Sequence, residues 1–161
     1  MSFLRFVMLL AITVWLGALT FFPVVAQISF TVLPSTHLAG LVVRNSLIAL
    51  HWMGMSAGVV FLMCSLVESR IARGRFCALR PSHLLILLML GLTATSQFKV
   101  IPRMDALRAS AGEIAQLSPG DPVRVQFDSL HAWSTRIEGL VLVFGLLVLY
   151  LTTRRLAATR L

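Results

Sequence analysis

The sequence predicts an all-α integral membrane protein, an antiparallel bundle of four transmembrane helices with both termini on the cytoplasmic side. Three observations carry that expectation. Of 161 residues, 58% are hydrophobic and only 12% charged, where soluble domains carry about 25% charged residues. The mean hydropathy is +0.89. The charges collect in short clusters between long apolar runs. Such a composition excludes intrinsic disorder and argues against a cytosolic enzyme or a coiled coil. The length suits a single transmembrane domain over residues 1–161.

Residues 6 to 43 contain no Asp, Glu, Lys or Arg. As one helix the run would extend about 57 Å, too long for one crossing of a ~30 Å hydrocarbon core. Pro23 and Pro34 supply breaks, so the first span is placed at 6–28, followed by a short external loop through Gly40. Arg5, the apolar stretch and Val24-Val25-Ala26 also resemble a signal peptide. The stretch is longer than most signal cores, and a retained helix is expected. The second span, 44–67, lies between Arg44 and Glu68, and the third, 81–99, between Arg80 and Lys99. The fourth, 135–153, includes the short uncharged run between Glu138 and Arg154. Between the third and fourth spans, residues 102–121 form the longest polar stretch, an external loop in which 106–116 favour helix. Asp121 is a natural N-cap with Pro122 at the first helical position. The last helix is therefore expected to begin outside the membrane and run on from about residue 122 to 153.

Charge orients these spans. With the N-terminus inside, the cytoplasmic segments hold Arg5, Arg70, Arg73, Arg75, Arg80, Arg154, Arg155 and Arg160 against Glu68 alone. The external segments hold six basic residues and the other five acids. The positive-inside rule then places both termini in the cytoplasm. It also explains the net charge of +8 better than a nucleic-acid partner does. Cys64 and Cys77 match no CxxC spacing. Both are read as free thiols, the first as core packing and the second in a basic loop.

Candidate functional residues concentrate toward the outer face. Asp128, His131, Thr135 and Glu138 share one stripe of the fourth helix, with Leu142 and Gly145 continuing it inward. A carboxylate at mid-bilayer costs on the order of 3 kcal/mol and normally faces protein or water. Glu138 therefore suggests a polar pocket at the outer leaflet. The competing reading is a helix start, because Thr135-Arg136-Ile137-Glu138 fits a capping box. On the second helix, Arg44 and His51 share a face with Met55 and Gly58, with His51 about 10 Å inward of Arg44. An ion pair between Arg44 and Glu138 is the expected means of neutralising both charges. His51, with His131 or Met55, has ligand types that suit haem or copper. A histidine hydrogen-bonded across helices is the commoner arrangement. His37 and His83 are placed in loops or at interfaces without a role. Gly54-Met55-Ser56-Ala57-Gly58 is a GxxxG motif, an intramolecular packing seam or a dimer face. Met53, Met55 and Met63 read as core. Trp15, Trp52 and Trp133 read as packing or interface anchors. Thr93, Thr95, Ser96 and Gln97 make the outer end of the third helix polar. No Ser/His/Asp set, HExxH, phosphate-binding loop or carboxylate cluster is present.

The stretch Phe127-Asp128-Ser129-Leu130-His131-Ala132-Trp133-Ser134-Thr135-Arg136 resembles the FxxLHxxS fingerprint of the transmembrane protein 205-like domain family. Trp15-Leu16-Gly17, Val25-Ala26, Phe30, Leu33-Pro34, Ala39-Gly40, His51 and Ile101-Pro102-Arg103-Met104 carry the resemblance through most of the chain. It implies a small four-helix protein of the bacterial inner membrane, with His131, Ser134, Asp128 and Phe127 in the shared fourth-helix motif. It implies no reaction. The chain departs from the family pattern at Gln27, Arg44 and Glu138, where Pro, a small residue and Asn are usual. The leading expectation is a non-enzymatic protein that assists transport or organises the membrane. Its outward-facing pocket would be lined by Arg44, His51, Lys99, Asp128, His131, Ser134, Thr135 and Glu138. The alternatives are a haem- or copper-binding redox protein using His51 and His131, and a structural subunit packing through Gly54 and Gly58. The expected partners are the bilayer and a second copy or another membrane protein, with no nucleic acid.

Overall fold

The computed structural model describes residues 2–74 and 80–158. All secondary structure among them is helical: α1 (Ser2–Val32), α2 (Thr36–Arg73), α3 (Pro81–Thr95), a π turn (Ser96–Val100), α4 (Ile101–Ala111), a 3₁₀ turn (Ile114–Gln116) and α5 (Pro122–Ala158). Four stretches are long and apolar enough to cross a membrane: Ser2–Val32, Thr36–Ala72, Pro81–Ala111 and Pro122–Arg155. The third is composite, with α3, the π turn and α4 forming one continuous rod.

The breaks differ from those expected. α1 runs through Pro23 and stops only at Val32. A proline removes one intrahelical donor, and packing along α2 outweighs that loss. Pro34 does end the helix, and Ser35 caps α2, its hydroxyl accepting from the Leu38 N–H at 3.1 Å. The loop expected through Gly40 is thus a three-residue turn, and the second span begins well before Arg44. At its other end α2 continues past Glu68 to Arg73, closed by Gly74 in the left-handed conformation at φ 68°.

The third span also outruns its expected end at Lys99. Pro102 cannot donate to the carbonyl four residues back. One turn of wider winding absorbs the mismatch, with the Ile101 N–H bonding to the Ser96 carbonyl. Residues 102–111, expected in the external segment with helix only from residue 106, therefore extend the rod as α4. The last helix starts where its cap predicted, with the Val123 N–H donating to Asp121 Oδ1 at 2.8 Å. Thr135 and Glu138 stand mid-helix, so the capping-box reading fails; Thr135 Oγ1 donates instead to the His131 carbonyl.

A core of Met8, Ile12, Trp15, Leu16, Phe61, Ile86, Met89, Val141 and Val148 joins the helices. Half-buried Cys64 packs against it, while Cys77 lies outside the described residues. The outward faces carry exposed Leu, Val, Phe and Trp side chains, among them Trp52 and Trp133. Apolar groups facing outward are the pattern a lipid solvent selects.

Candidate functional site

A cavity of about 560 Å³ opens between α1, α2, α4 and α5. Leu19, Phe22, Phe30, Leu47, Met104 and Leu142 supply apolar walls. Along α5, Asp128, His131, Ser134, Thr135 and Glu138 all line it, and α2 contributes Arg44. The fourth-helix stripe and Arg44 therefore do face one space. His51, expected in the lining, is fully buried and does not line the cavity, nor does Lys99, which is exposed. The π turn and α4 continue the third rod past it, bringing Ile101, Met104, Asp105 and Arg108 to the wall instead.

The ion pair expected between Arg44 and Glu138 is not formed. Arg44 holds Asp105 in a two-pronged contact, Nε donating to Oδ1 at 2.6 Å and Nη2 to Oδ2 at 2.5 Å. Its Nη1 donates to Asn45 Oδ1 at 2.9 Å. Arg108 approaches Asp105 at 3.6 Å and lays its guanidinium over the Phe127 ring at 4.9 Å. Placing residues 102–121 in an external segment, with helix only from residue 106, concealed Asp105. Once α4 is helical, its carboxylate stands beside Arg44, and the planar guanidinium matches it bidentately.

Glu138 pairs with His51. The His51 ring is fully buried, with Nε2 2.8 Å from Glu138 Oε1 and Nδ1 2.8 Å from Gln97 Oε1. Both nitrogens face oxygen. Their hydrogen bonds are complete when the ring carries two protons, or when the Gln97 amide is turned so that its NH₂ donates. Gln97 sits on the π turn, which ties the irregular winding at Pro102 to this cluster. Glu138 Oε2 is buried and has no hydrogen-bond partner. With both ring nitrogens of His51 engaged, metal ligation there would require Gln97 or Glu138 to give way. Among the described residues, no three His, Cys, Asp or Glu side chains gather as a metal site.

A second polar cluster, unforeseen in the sequence, joins the ends of the helices away from the cavity. Glu68 is buried and holds Arg5 Nε at 2.8 Å, a guanidinium nitrogen of Arg155, and Arg80 Nη1 at 4.0 Å. His83, expected in a loop or interface without a role, is buried with Nε2 2.7 Å from Ser65 Oγ. The available signal was charge: Glu68 is the lone acid among the eight arginines at positions 5, 70, 73, 75, 80, 154, 155 and 160. The GxxxG glycines form an intramolecular seam. A Cβ on Gly54 would lie 2.2 Å from Trp15 Nε1, and one on Gly58 2.9 Å from Trp15 Cζ3.

Comparison with family models matches residues 10–113, well over half the chain, to one described as a domain of unknown function, DUF4149. The match covers α1 to α4 and leaves α5 outside. No curated protein and no solved structure matches.

Proposed function

The chain belongs to the DUF4149 family, a domain of unknown function, and from that premise we propose a non-enzymatic membrane protein whose cavity holds one amphipathic ligand. In this reading the helices form an antiparallel bundle in a bacterial inner membrane. Both termini and the Glu68 cluster face the cytoplasm, and the connection between α4 and α5 lies outside. The arginine bias supports that orientation. The protein assists transport or membrane organisation by holding the ligand at the outer leaflet. The kinship with transmembrane protein 205-like domains belongs to the same reading and rests on the α5 motif of Phe127, Asp128, His131 and Ser134.

The observation that carries the proposal is the cavity itself. Its 560 Å³ falls within the roughly 300–1,000 Å³ of small-molecule sites, and apolar walls alternate with a few fixed polar groups. Arg44, Asp105 and Arg108 largely satisfy one another at its rim. Glu138 also lines it and retains an oxygen without a partner. A buried acceptor left unpaired costs free energy, so the complementary ligand is an apolar chain ending in a donor, an amine or a hydroxyl.

Native mass spectrometry of the detergent-purified protein with dodecylamine, dodecanol or dodecanoic acid tests this. One amine or alcohol molecule bound per chain, and lost in Gly139→Phe, is expected. Gly139 lines the cavity and has open space where a Cβ would point, so the ring fills the cavity. Equal uptake of the acid, or binding indifferent to Gly139→Phe, refutes the reading.

A further inference from the structure

We propose that Arg5, Arg80 and Arg155, gathered on Glu68, form a binding site for a phosphate group, supplied by the headgroup of an anionic phospholipid. The site is separate from the cavity and independent of what the cavity holds. Its basis is charge and burial. The Glu68 side chain is 4% exposed, and those of Arg5, Arg80 and Arg155 are 24%, 12% and 27% exposed. One carboxylate thus faces three guanidinium groups, so positive charge exceeds negative among the described side chains of a largely desolvated cluster. The five remaining acidic side chains lie between residues 105 and 138. Those with ion pairs hold Arg44, Arg108, Arg124 or His51.

Donors remain as well as charge. Arg5 engages Glu68 through Nε alone. Arg80 meets Glu68 only at 4.0 Å and Ser65 Oγ at 3.5 Å. Each guanidinium carries five N–H groups in a fork that matches phosphate oxygens. The surroundings favour a lipid as the source. The cluster joins the ends of membrane-length helices, the level at which headgroups lie and where basic pockets between helices recognise them. Phe3 and Phe6, close to Arg5 in sequence, have exposed rings, and Ile71 and Leu84, near the ends of α2 and α3, are exposed as well. These provide apolar surface for acyl chains beside a cationic seat for the phosphate.

The test is thermal unfolding of the detergent-purified protein with phosphatidylglycerol, phosphatidylcholine or inorganic phosphate added. A melting temperature raised by phosphatidylglycerol and not by phosphatidylcholine is expected. Arg80→Gln preserves the Glu68 contacts of Arg5 and Arg155 and removes one excess charge. It should weaken phosphatidylglycerol binding about fivefold, the worth of roughly 1 kcal/mol per basic residue near an anionic surface. Glu68→Gln removes the carboxylate that competes for the guanidinium groups, so binding persists or tightens. An equal shift from inorganic phosphate supports the anion site and assigns it a soluble source. Equal shifts from both lipids, unchanged binding in Arg80→Gln, or loss of binding in a folded Glu68→Gln variant overturns the proposal. Should Glu68→Gln not fold, Arg80→Gln decides alone.

Discussion

Replacing glycine by alanine at positions 54 and 139 should move stability in opposite directions, and the structure sets both signs. At Gly54 the new Cβ would lie 2.2, 2.5 and 2.8 Å from Trp15 Nε1, Cε2 and Cδ1. The indole is fully buried, and Gly58 approaches it as well, so the ring has little room to retreat. Overpacking of this kind costs about 1–3 kcal/mol. Alanine's advantage inside a helix returns about 0.5–1 kcal/mol, leaving a net loss of about 1–2 kcal/mol. At Gly139 no atom stands within 4 Å of the new Cβ, so only the helix gain remains. For a chain of this size 1 kcal/mol shifts the melting temperature by about 2–4 °C. Tryptophan-fluorescence melting in one detergent should therefore show Gly54→Ala falling several degrees and Gly139→Ala rising by about 1–4 °C. The seam would be misplaced if Gly54→Ala melted at or above the unsubstituted protein while Gly139→Ala gained nothing.

The remaining predictions concern the charged groups. Glu68→Ala strands three arginines around a buried void and should cost about 3 kcal/mol, the range for breaking a buried pair from one side; denaturant titration in micelles measures it. Arg44→Ala removes a pair whose side chains are both 30% exposed, so the same titration should show only about 1 kcal/mol. A larger loss there than at Glu68 would reverse the assigned hierarchy. Glu138→Gln keeps an oxygen for His51 and should hold stability within about 1 kcal/mol, whereas Glu138→Leu leaves the buried ring without its acceptor and costs about 1–3 kcal/mol. Dodecylamine binding should weaken in both variants, and binding that survives Glu138→Leu would remove Glu138 from the ligand site.

The helices were legible to different depths, for physical reasons. Hydropathy reports solvent, and a lipid solvent demands long apolar segments, so four spans could be located without coordinates. Their ends were harder. Pro23 reads as a break because proline lacks a donor, yet the packed rod tolerates it. Lys99 and Pro102 read as an exit, yet one π turn carries the helix on to Ala111. Asp121 and Pro122 were read correctly because capping is a local interaction between neighbours in sequence. The α5 stripe was legible for a related reason, since helical periodicity determines which residues share a face.

Partners were another matter. Composition and spacing by themselves indicated four apolar helices long enough to cross a membrane, a polar stripe on the last of them, and a strong asymmetry of arginine. Which charge met which was decided only by tertiary structure. Arg44 took Asp105 because the prolonged third rod placed that carboxylate at bidentate range, and Glu138 took His51 because the π turn brought Gln97 to the ring's other nitrogen. Glu68, scarcely visible as a single acid among arginines, became the centre of a cluster drawn from residues up to 87 positions away. Electrostatic pairing depends on distances of a few ångströms between side chains remote in sequence, and only the packing of helix against helix determines those distances.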